Sequence, residues 1–469
     1  MSNKIVTKKV YIETLGCQMN KSDSEKILGI LETQGYKETT EREEADLLVM
    51  NTCSIRAASE NKAFSHLGIW KKLKKTNPDI KICVCGCIAQ QTKEKIFKRA
   101  PQVDLIFGTH NIEELPELIK QLEGEADCEQ RLQDGGGEPS TGTPFKASNQ
   151  VKVCSIRQTP YQTEETFYSR RQEGLSAWLP IIEGCDYFCT YCVVPYTRGR
   201  QRSRLPVDII REAKEIISQG YKEITLLGQT VDSYGKDFGK PEITLSSLLR
   251  ELNGLDGLMR IRFVTSHPAD ITDELIKTVA ELDKVCEYFH LPMQSGSTEV
   301  LAKMKRPYTR EEYLTLVNKI KKEIPDVAIT SDFIAGFPGE KEEQFNETLS
   351  IIDEVGFDQC NVAAYSPRKQ TPAAVWKDQV PQDEKKRRHI VLFEKTKEAT
   401  VKANEKYVGR VLQVLPDNYK EQSDEIILTG RTRNNKLTHF KGSKDLIGRH
   451  VDVEITEASI WCLKGRIKL

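Results

Sequence analysis

The chain has no net charge, no long apolar run and no apolar leader. Its 469 residues include 69 Lys or Arg and 69 Asp or Glu, so any surface that binds nucleic acid must be local. No run of 18 or more apolar residues occurs, and residues 1–9 contain no apolar signal segment. We therefore expect a cytoplasmic protein that does not contact a membrane.

The chain also lacks the second pair of ligands that a zinc site would need. Three of its 13 cysteines, Cys185, Cys189 and Cys192, form a CxxxCxxC pattern, and there is no second CxxC or HxxxH pair. Three soft thiolates are better suited to an iron-sulfur cluster that keeps one iron open for a substrate or cofactor. The alternative, three incidental buried cysteines, is disfavoured by this tight spacing. In a cytoplasmic enzyme, many cysteines indicate metal or redox chemistry rather than disulfides.

Residues 9–123 alternate between apolar runs and amphipathic stretches. Strands are predicted at 10–15, 47–50, 80–84 and 103–107, and helices at 22–34, 57–75 and 90–99. Such alternation predicts an open parallel sheet covered by helices on both faces.

A cysteine follows each of the first three predicted strands: Cys17, Cys53 and Cys87. The C-terminal ends of parallel strands share one edge of the sheet, so these cysteines can meet there and hold a second three-thiolate cluster. Gly16 and Gly86 would let the backbone approach such a cluster closely. The alternative is that all three are ordinary buried cysteines. Cys83 and Cys85 lie within the third strand, and we assign them to packing.

Residues 124–170 are polar and glycine-rich, which predicts a linker that is ordered only near 151–156. Cys128 and Cys154, within this stretch, are expected to be free thiols.

Residues 171–400 contain six strand and helix repeats, which predict a partial (β/α)6 barrel. The strands are predicted at 179–182, 223–227, 260–264, 286–291, 328–334 and 359–364, with helices such as 207–218, 273–282, 310–323 and 341–354. Function in such barrels lies on the loops that follow the strands, and the CxxxCxxC loop follows the first strand. The basic stretch 385–388 is interpreted as a solvated helix face.

Residues 401–469 change to alternating strands at 408–415, 425–429, 436–440 and 450–455, which predict a five-stranded barrel of OB type. This part has 13 basic and 9 acidic residues, 13 − 9 = +4. Arg431, Arg433 and Lys436 near Phe440 are suited to RNA phosphates and base stacking. A charged, solubilising barrel is an equally good interpretation of the composition.

Taken together, the three parts resemble the methylthiotransferase family of the radical S-adenosylmethionine (SAM) superfamily. The resemblance extends over nearly the whole chain outside the linker. It is carried by LGCQMN (15–20), NTCSIR (51–56), GCIAQ (86–90), CVVPYTRG (192–199), HLPMQSGS (290–297) and DFIAGFPGE (332–340). The terminal barrel resembles a TRAM domain, a module associated with RNA binding.

The resemblance implies an α/β enzyme with two [4Fe-4S] clusters and SAM. It implies a methylthiotransferase domain at 8–123, a linker at 124–170, a radical-SAM core at 171–400 and a TRAM domain at 401–469. One cluster would be held by Cys17, Cys53 and Cys87 and the other by Cys185, Cys189 and Cys192. Gln229, Ser266 and Gln294 follow or end barrel strands and are expected to contact SAM.

The implied substrate is tRNA that carries N6-(dimethylallyl)adenosine next to the anticodon, and the product is its 2-methylthio derivative. One SAM would generate the radical and a second would donate the methyl group. No catalytic acid or base is assigned, because the cofactor must break so unactivated a C–H bond. His267 is expected to be structural. The expected partners are tRNA and an electron donor such as flavodoxin or ferredoxin, and the chain is expected to be a monomer.

Three alternatives remain open at this stage. One family branch methylthiolates an aspartate of a ribosomal protein, and a closer relative modifies threonylcarbamoyl-adenosine in tRNA. The motifs at 17–20 and 193–196 favour the dimethylallyladenosine branch. A third possibility is a non-catalytic iron-sulfur protein that binds RNA or transfers electrons, but such a carrier has no use for an open iron or a six-unit barrel.

Overall fold

The computed structural model describes residues 8–54, 57–123, 145–147, 150–157, 170–171, 173–422 and 425–468. The chain forms two compact units. The first contains Met1–Gln172 and Val193–Arg200, and the second contains Glu173–Cys192 and Gln201–Leu469. Within the described ranges, no helix is both long enough and apolar enough to span a membrane.

The first unit is built on one seven-stranded sheet with the strand order β2-β1-β3-β4-β5-β7-β6. The strands are β1 (Lys8–Leu15), β2 (Tyr36–Glu38), β3 (Leu47–Thr52), β4 (Lys81–Gly86), β5 (Leu105–Phe107), β6 (Phe145–Ala147) and β7 (Gln150–Ser155). All neighbouring strands are parallel except β6 and β7. The helices are α1 (Gln18–Thr33), α2 (Ala57–Thr76), α3 (Cys87–Thr92), α4 (Lys95–Arg99), α5 (Leu115–Glu123) and α6 (Val194–Thr197).

Helices cover both faces of this sheet, as the sequence predicts. Strand β3 is buried along its whole length. Leu47 and Val49 pack with residues of α1 and α5 on one face, and Leu48 and Met50 pack with residues of α2, α3 and α4 on the other. Because successive side chains of a strand point to opposite faces, an uninterrupted apolar strand requires a cover on each side.

Two features of the first unit differ from the sequence prediction. The predicted helix at 90–99 is two short helices, because Lys93 adopts a positive φ of 54° that ends α3. The predicted linker contributes β6 and β7, and β7 extends the sheet beside β5 with Val153 opposite Leu105. Cys154 in β7 is a buried free thiol. Cys128 and the rest of the predicted linker outside 145–147 and 150–157 lie outside the described residues.

The second unit contains the six parallel strands that the repeats predict. They form two three-stranded sheets, β8 (Ser176–Pro180) with β11 (Glu223–Leu227) and β12 (Arg260–Phe263), and β13 (Tyr288–His290) with β14 (Ala328–Ala335) and β15 (Gln359–Ala364). A parallel bridge between Ile261 and Val285 joins the two sheets. A short antiparallel pair, β9 (Ile182–Glu183) and β10 (Arg202–Ser203), lies beyond β8.

Seven helices of the second unit are described. They are α7 (Pro206–Ser218), α8 (Leu245–Asn253), α9 (Asp273–Glu281), α10 (Thr298–Lys303), α11 (Arg310–Glu323), α12 (Glu342–Val355) and α13 (Gln382–Glu405). The interpretation of 385–388 as a solvated face is wrong for two of its residues. Lys385 and Arg388 are buried on α13, where Arg388 pairs with Glu340 at 3.0 Å. The burial of a cation requires such a partner, and the sequence does not reveal it.

The C-terminal part of this unit is a closed five-stranded barrel in the order β16-β17-β18-β20-β19. Its strands are β16 (Val411–Gln422), β17 (Glu425–Thr432), β18 (Leu437–Lys441), β19 (Val451–Ala458) and β20 (Leu463–Ile467). The predicted small barrel is therefore confirmed, and its fifth strand is the last one in the chain.

Candidate functional site

The structure brings Cys17, Cys53 and Cys87 to the C-terminal ends of three adjacent strands of the first unit. Strand β1 pairs with β3 and β3 pairs with β4, so the three cysteines follow neighbouring strands. Cys17 precedes α1 and Cys87 begins α3, while Cys53 follows the last residue of β3. Cys53 and Cys87 are buried and Cys17 is partly exposed. The three cysteines therefore lie at one edge of the sheet, as the strand order predicts.

A network of two buried asparagines fixes the loops that carry these cysteines. Asn20 accepts from the backbone N–H of Cys17 at 3.3 Å and donates to the carbonyl of Thr52 at 3.2 Å. Asn51 donates to the carbonyl of Asn20 at 2.8 Å. Both side chains are completely buried. Their hydrogen bonds to the backbone therefore fix the loops that carry Cys17 and Cys53 relative to each other.

Gly86 allows the chain to pass close to this network. It has a φ of +86°, and a Cβ atom there would lie 2.4 Å from both the Asn51 Oδ1 and the Thr52 carbonyl oxygen. A side chain at this position would meet buried backbone that cannot move away. The glycine thus keeps a tight space between the ends of β3 and β4, next to Cys87.

Charge and hydrogen bonding act directly on these thiols. A hydrogen bond from Cys53 lowers the pKa of Cys17 to about 6, against the effect of burial. Burial raises the pKa of Cys87, and Arg198 opposes this rise through its charge and a hydrogen bond. A thiolate is the form of cysteine that binds iron, and the hydrogen bond from Cys53 favours this form at Cys17.

The loop with the CxxxCxxC pattern follows β8 and β9 in the second unit. Gly184 has a φ of +78° and donates its backbone N–H to the Oε1 of Gln229 at 2.6 Å. Phe188, between the first two cysteines, also has a positive φ, of 47°. The Cys192 N–H donates to the Cys189 carbonyl at 2.9 Å. The loop is thus a compact, strained turn of the kind that clusters at functional sites.

A buried arginine contacts the central cysteine of this loop. Arg306 places a guanidinium nitrogen 3.8 Å from the Sγ of Cys189. It also donates to the Pro292 carbonyl at 2.7 Å and to the Tyr308 hydroxyl at 2.6 Å.

Burial raises the pKa of Cys185, the first cysteine of the loop, to about 11. Without bound metal this thiol is therefore protonated, and a coordinated metal would have to displace its proton.

Tyr187, also on this loop, contacts the segment that follows strand β12. Its ring stacks on His267 with the centroids 3.5 Å apart, and its hydroxyl donates to Asp270 at 2.5 Å. Burial lowers the pKa of His267 to about 2, so the imidazole is neutral near physiological pH. A neutral, stacked ring agrees with the structural role expected for His267.

The three side chains expected to contact SAM lie at strand ends near this loop but differ in their surroundings. Gln229 already accepts a hydrogen bond from Gly184. The Ser266 hydroxyl is buried and has no hydrogen-bond partner among the described residues. Gln294 is half-buried and has a φ of +75°. A buried hydroxyl without a partner costs about 1–3 kcal/mol, so a bound ligand would relieve that cost at Ser266.

Each trio consists of three thiols, the ligand type that iron-sulfur clusters use. Among the described residues, no group of three or more His, Cys, Asp or Glu side chains is arranged to hold one metal ion. A single zinc ion needs every thiolate at about 2.3 Å from one point, whereas each thiolate of a four-iron cluster binds a different iron. Three thiols on tight turns that contain glycine, as in each trio, suit a cluster whose ligands bind different irons.

In the terminal barrel, three of the four residues expected to face RNA do not do so. Arg433 pairs with Glu287 at 2.6 Å, and Lys436 pairs with Asp358 at 2.8 Å. Phe440 is in the core of the barrel and only 2% exposed. The prediction that these three side chains bind RNA is therefore wrong, because Arg433 and Lys436 join the terminal barrel to the six-stranded one and Phe440 is enclosed in the core of the terminal barrel. Arg431 is exposed and stays a prediction.

The sequence reasoning missed the buried arginines and asparagines that surround the cysteines. Asn20 and Asn51 are next to the first trio in the quoted motifs, three positions after Cys17 and two before Cys53, and that proximity was an available signal. Arg198 lies within the quoted motif at 192–199 but acts on a cysteine of the other trio, and Arg306 lies outside the quoted motifs, so no local pattern linked either arginine to its cysteine.

Comparison with known proteins identifies three families along the chain. Residues 9–108 match the uncharacterized protein family UPF0004, residues 179–352 match the Radical SAM superfamily, and residues 405–468 match the TRAM domain. These matches agree with the three folded parts that the sequence predicts.

Curated relatives are similar over the whole chain. The protein named tRNA-2-methylthio-N(6)-dimethylallyladenosine synthase from Clostridium botulinum (strain Langeland) is 46% identical over 97% of this chain and 96% of the relative. The protein of that name from Clostridium perfringens (strain 13) is 45% identical over 100% of this chain and 99% of the relative. That from Geobacillus kaustophilus is 46% identical over 98% of this chain and 82% of the relative.

Solved structures share the fold at low sequence identity. The radical S-adenosylmethionine methyltransferase TsrM from Kitasatospora setae, with cobalamin and a [4Fe-4S] cluster bound, aligns with a TM-score of 0.58 and 15% identity. The alignment covers 79% of this chain and 77% of TsrM. The cobalamin-dependent S-adenosylmethionine radical enzyme OxsB has a TM-score of 0.51 and 13% identity, over 83% of this chain and 56% of OxsB.

Proposed function

We propose, since the chain belongs to the family of the tRNA-2-methylthio-N(6)-dimethylallyladenosine synthases, that it is a radical-SAM tRNA methylthiotransferase. Its substrate is N6-(dimethylallyl)adenosine next to the anticodon of tRNA, and its product is the 2-methylthio derivative. One SAM serves radical generation and a second donates the methyl group. The enzyme acts as a cytoplasmic monomer that receives electrons from a protein such as flavodoxin or ferredoxin.

The observation that carries this proposal is the presence of two separate cysteine trios. A radical-SAM barrel with one trio would suit many reactions. Cys17, Cys53 and Cys87 follow adjacent strands of the seven-stranded sheet, in a different compact unit from the CxxxCxxC loop. A second cluster with an open iron is what sulfur transfer requires in addition to radical chemistry.

The two trios would hold one [4Fe-4S] cluster each. Cys185, Cys189 and Cys192 would hold the cluster that binds SAM, and Cys17, Cys53 and Cys87 the auxiliary cluster. When bound, these groups and SAM supply reductive radical chemistry and a sulfur source. Each trio provides three thiolates for four irons, which leaves one iron of each cluster accessible.

The protein's own side chains would orient the reactants. Gln229 holds the start of the CxxxCxxC loop through Gly184, and the Arg306 guanidinium contacts Cys189. Ser266 presents a buried hydroxyl that a ligand in the barrel can satisfy. An adenine taken out of its stack could enter the open end of such a barrel.

The proposed domain limits are 8–123, 124–170, 171–400 and 401–469, with the last domain as the RNA-binding TRAM domain. The two compact units divide the chain differently, because the barrel and the terminal domain share one unit. The strand β7 inside 124–170 supports a linker that is anchored to the first sheet rather than free along its whole length.

The decisive experiment supplies the anaerobically reconstituted protein with SAM, a reductant and one of three tRNAs. The target adenosine is unmodified, dimethylallylated or threonylcarbamoylated, and the nucleosides are analysed by mass spectrometry. We expect the 2-methylthio product only with the dimethylallyl tRNA. A product on the threonylcarbamoyl tRNA alone would assign the chain to the related activity, and no product on any tRNA would contradict the proposal.

A matched pair of variants tests the role of the CxxxCxxC loop. Gln229→Ala removes the acceptor for the Gly184 N–H, whereas Gln229→Glu retains an acceptor oxygen at the same place. We expect Gln229→Ala to lose more activity than Gln229→Glu at equal iron content. Equal activity of both variants would mean that this hydrogen bond does not position the loop.

A further inference from the structure

A buried ion pair in the first unit lies against the first cysteine trio. Arg198 and Asp23 are 175 positions apart in the sequence, and a guanidinium nitrogen of Arg198 lies 2.5 Å from the Asp23 Oδ2. The side chain of Arg198 is 3% exposed and that of Asp23 is 11% exposed. Burial of a cation is expensive, so its position here calls for an explanation beyond a surface salt bridge.

The contacts of this pair lead to the cysteines. Helix α6, whose C-cap is Arg198, packs against α3, which begins at Cys87. The charge of Arg198 and a hydrogen bond from it lower the pKa of Cys87 against the effect of burial, and its charge also lowers the pKa of Cys17. The Asp23 carboxylate acts in the opposite sense on Cys85 and Cys87. Both members of this buried ion pair therefore lie within interaction range of the trio.

The backbone around Arg198 keeps its side chain in this orientation. The Arg198 N–H donates to the Val194 carbonyl at 2.8 Å, closing the turn of α6. The Thr109 hydroxyl donates to the Thr197 carbonyl at 2.7 Å. Two hydrogen bonds thus fix the chain on the N-terminal side of Arg198, and Asp23 fixes its guanidinium.

We propose that Arg198, oriented by Asp23, is a positioning residue that sets the reduction potential of the iron-sulfur cluster at Cys17, Cys53 and Cys87. The proposal rests on the proposed function, which places the auxiliary cluster at this trio. Reduction adds a negative charge to a cluster, and a nearby cation with an N–H···S hydrogen bond stabilises that charge. Burial strengthens the effect, because the surroundings screen charges less than water does.

A purely structural role for the ion pair makes a different prediction. If Arg198 and Asp23 only fasten the segment Val193–Arg200 to the sheet, loss of either partner breaks the same contact. Both variants would then disturb the cluster in the same sense. If the charges set the potential, loss of the cation and loss of the anion must shift it in opposite directions.

The experiment isolates the auxiliary cluster in the full chain. Cys185→Ala, Cys189→Ala and Cys192→Ala are combined, the protein is reconstituted anaerobically, and the midpoint potential is measured by titration followed by electron paramagnetic resonance. In this background we expect Arg198→Gln to lower the midpoint potential and Asp23→Asn to raise it. Arg198→Lys retains the charge and should remain closer to the parent than Arg198→Gln does.

Arg306→Gln serves as the matched control. It also removes a buried guanidinium next to a cysteine, but that cysteine is Cys189, which is absent from this background. Its midpoint potential should therefore equal that of the parent. A shift as large as that of Arg198→Gln would show a general effect of the lost charge on the protein and would overturn the proposal.

The outcomes separate this inference from the function on which it rests. If the parent binds no iron, the auxiliary cluster and the proposed function both fail. If it binds about four irons but the potentials of Arg198→Gln and Asp23→Asn are unchanged, or shift the same way, only the role of Arg198 is overturned. Should Arg198→Gln fail to fold, Asp23→Asn and Arg198→Lys decide the question. Asp23→Asn should raise the midpoint potential, and Arg198→Lys, whose cation is less well placed, should lower it slightly.

Discussion

The guanidinium of Arg306 lies 3.8 Å from the sulfur of Cys189, although the two residues are 117 positions apart in the sequence. In the other trio, the charge of Arg198 and a hydrogen bond from it lower the pKa of Cys87 against the effect of burial. A buried cation therefore acts on one thiol of each trio. Ordinary core cysteines need no such partner, since they behave as small apolar side chains.

Iron analysis tests whether both trios hold clusters. The reconstituted full chain should contain about eight irons, and the triple Ala variant of Cys185, Cys189 and Cys192 about four, if each trio holds one four-iron cluster. The triple variant of Cys17, Cys53 and Cys87 should retain the other four. Cys83→Ala is the control, because Cys83 is completely buried within β4 and should leave the iron content unchanged. Retention of all eight irons by either triple variant would contradict the ligand assignment.

Gly86→Ala should disrupt the first trio. The new Cβ would lie 2.4 Å from the Asn51 Oδ1 and the Thr52 carbonyl oxygen, and the residue would have to keep a φ of +86°. The conformational cost alone is about 1–3 kcal/mol, to which the clash adds. We expect a lower thermal midpoint and the loss of iron from this trio only.

Gly35→Ala provides the comparison for Gly86. Gly35 has a nearly equal φ of +82°, but a Cβ there would have no atom within 4 Å. Its cost should be limited to the conformational part, about 1–3 kcal/mol, with full iron content. Equal destabilisation and equal iron loss in both variants would show that the close contact with Asn51 is unimportant.

Lys436→Met should destabilise the contact between the terminal barrel and the six-stranded barrel. Lys436 and Asp358 are both nearly buried and pair at 2.8 Å, so the variant leaves an unpaired buried carboxylate. Removal of one partner of such a pair costs about 3–5 kcal/mol. We expect a clearly lower midpoint in thermal unfolding, with no change in tRNA affinity below the transition.

The double variant Lys436→Met with Asp358→Asn identifies the cause. Asparagine retains an oxygen for the Ile329 N–H, which Asp358 accepts at 2.9 Å, but carries no charge. The double variant should be more stable than Lys436→Met alone. Lys468→Met, at an exposed position, should change stability by about 0.5 kcal/mol or less. A selective loss of tRNA binding in Lys436→Met would instead show that Lys436 contacts RNA.

Acidification should weaken the second unit through Glu223. Burial opposes the ionisation of this carboxyl, but Arg262 and Arg260 outweigh it and lower the pKa of Glu223. The carboxylate therefore stabilises the fold at pH values above its unfolded pKa of about 4.3. This contribution disappears as the pH falls through the lower pKa of the folded state.

Urea unfolding measured between pH 7 and pH 3 tests the role of Glu223. Its partner Arg262 is 2.9 Å away, and both side chains are buried. Glu223→Gln should be less stable than the parent at pH 7, and the difference should shrink as the pH falls. A difference that is constant with pH would mean that the charge of Glu223 does not contribute.

Much of the site was predictable because cysteine ligands leave local patterns. The CxxxCxxC loop needs only eight residues, and the positions of Cys17, Cys53 and Cys87 follow from where the apolar runs end. Strand adjacency then places these cysteines together, since parallel strands present their C-terminal ends on one edge. The strand β7 was harder to predict, because it lies in a polar stretch and is buried only through its pairing with β5.

The side chains that surround the cysteines and join the barrels were not predictable in this way. Arg433, Lys436 and Phe440 have the composition of an RNA surface, but Glu287 and Asp358 bind the two cations and the barrel core encloses the ring. The sequence alone does not show whether a charged side chain is exposed to water or buried in an ion pair, because the partner comes from a distant segment of the chain.

The sequence by itself determined the two cysteine trios, the α/β repeats and the terminal β-barrel, since each follows from local spacing and hydrophobic periodicity. Only the tertiary structure decided which charges surround those thiols. Arg198 with Asp23, and Arg306 with Cys189, are brought together over more than a hundred positions. Electrostatic interaction depends on distance in space and on burial, and neither can be read along the chain.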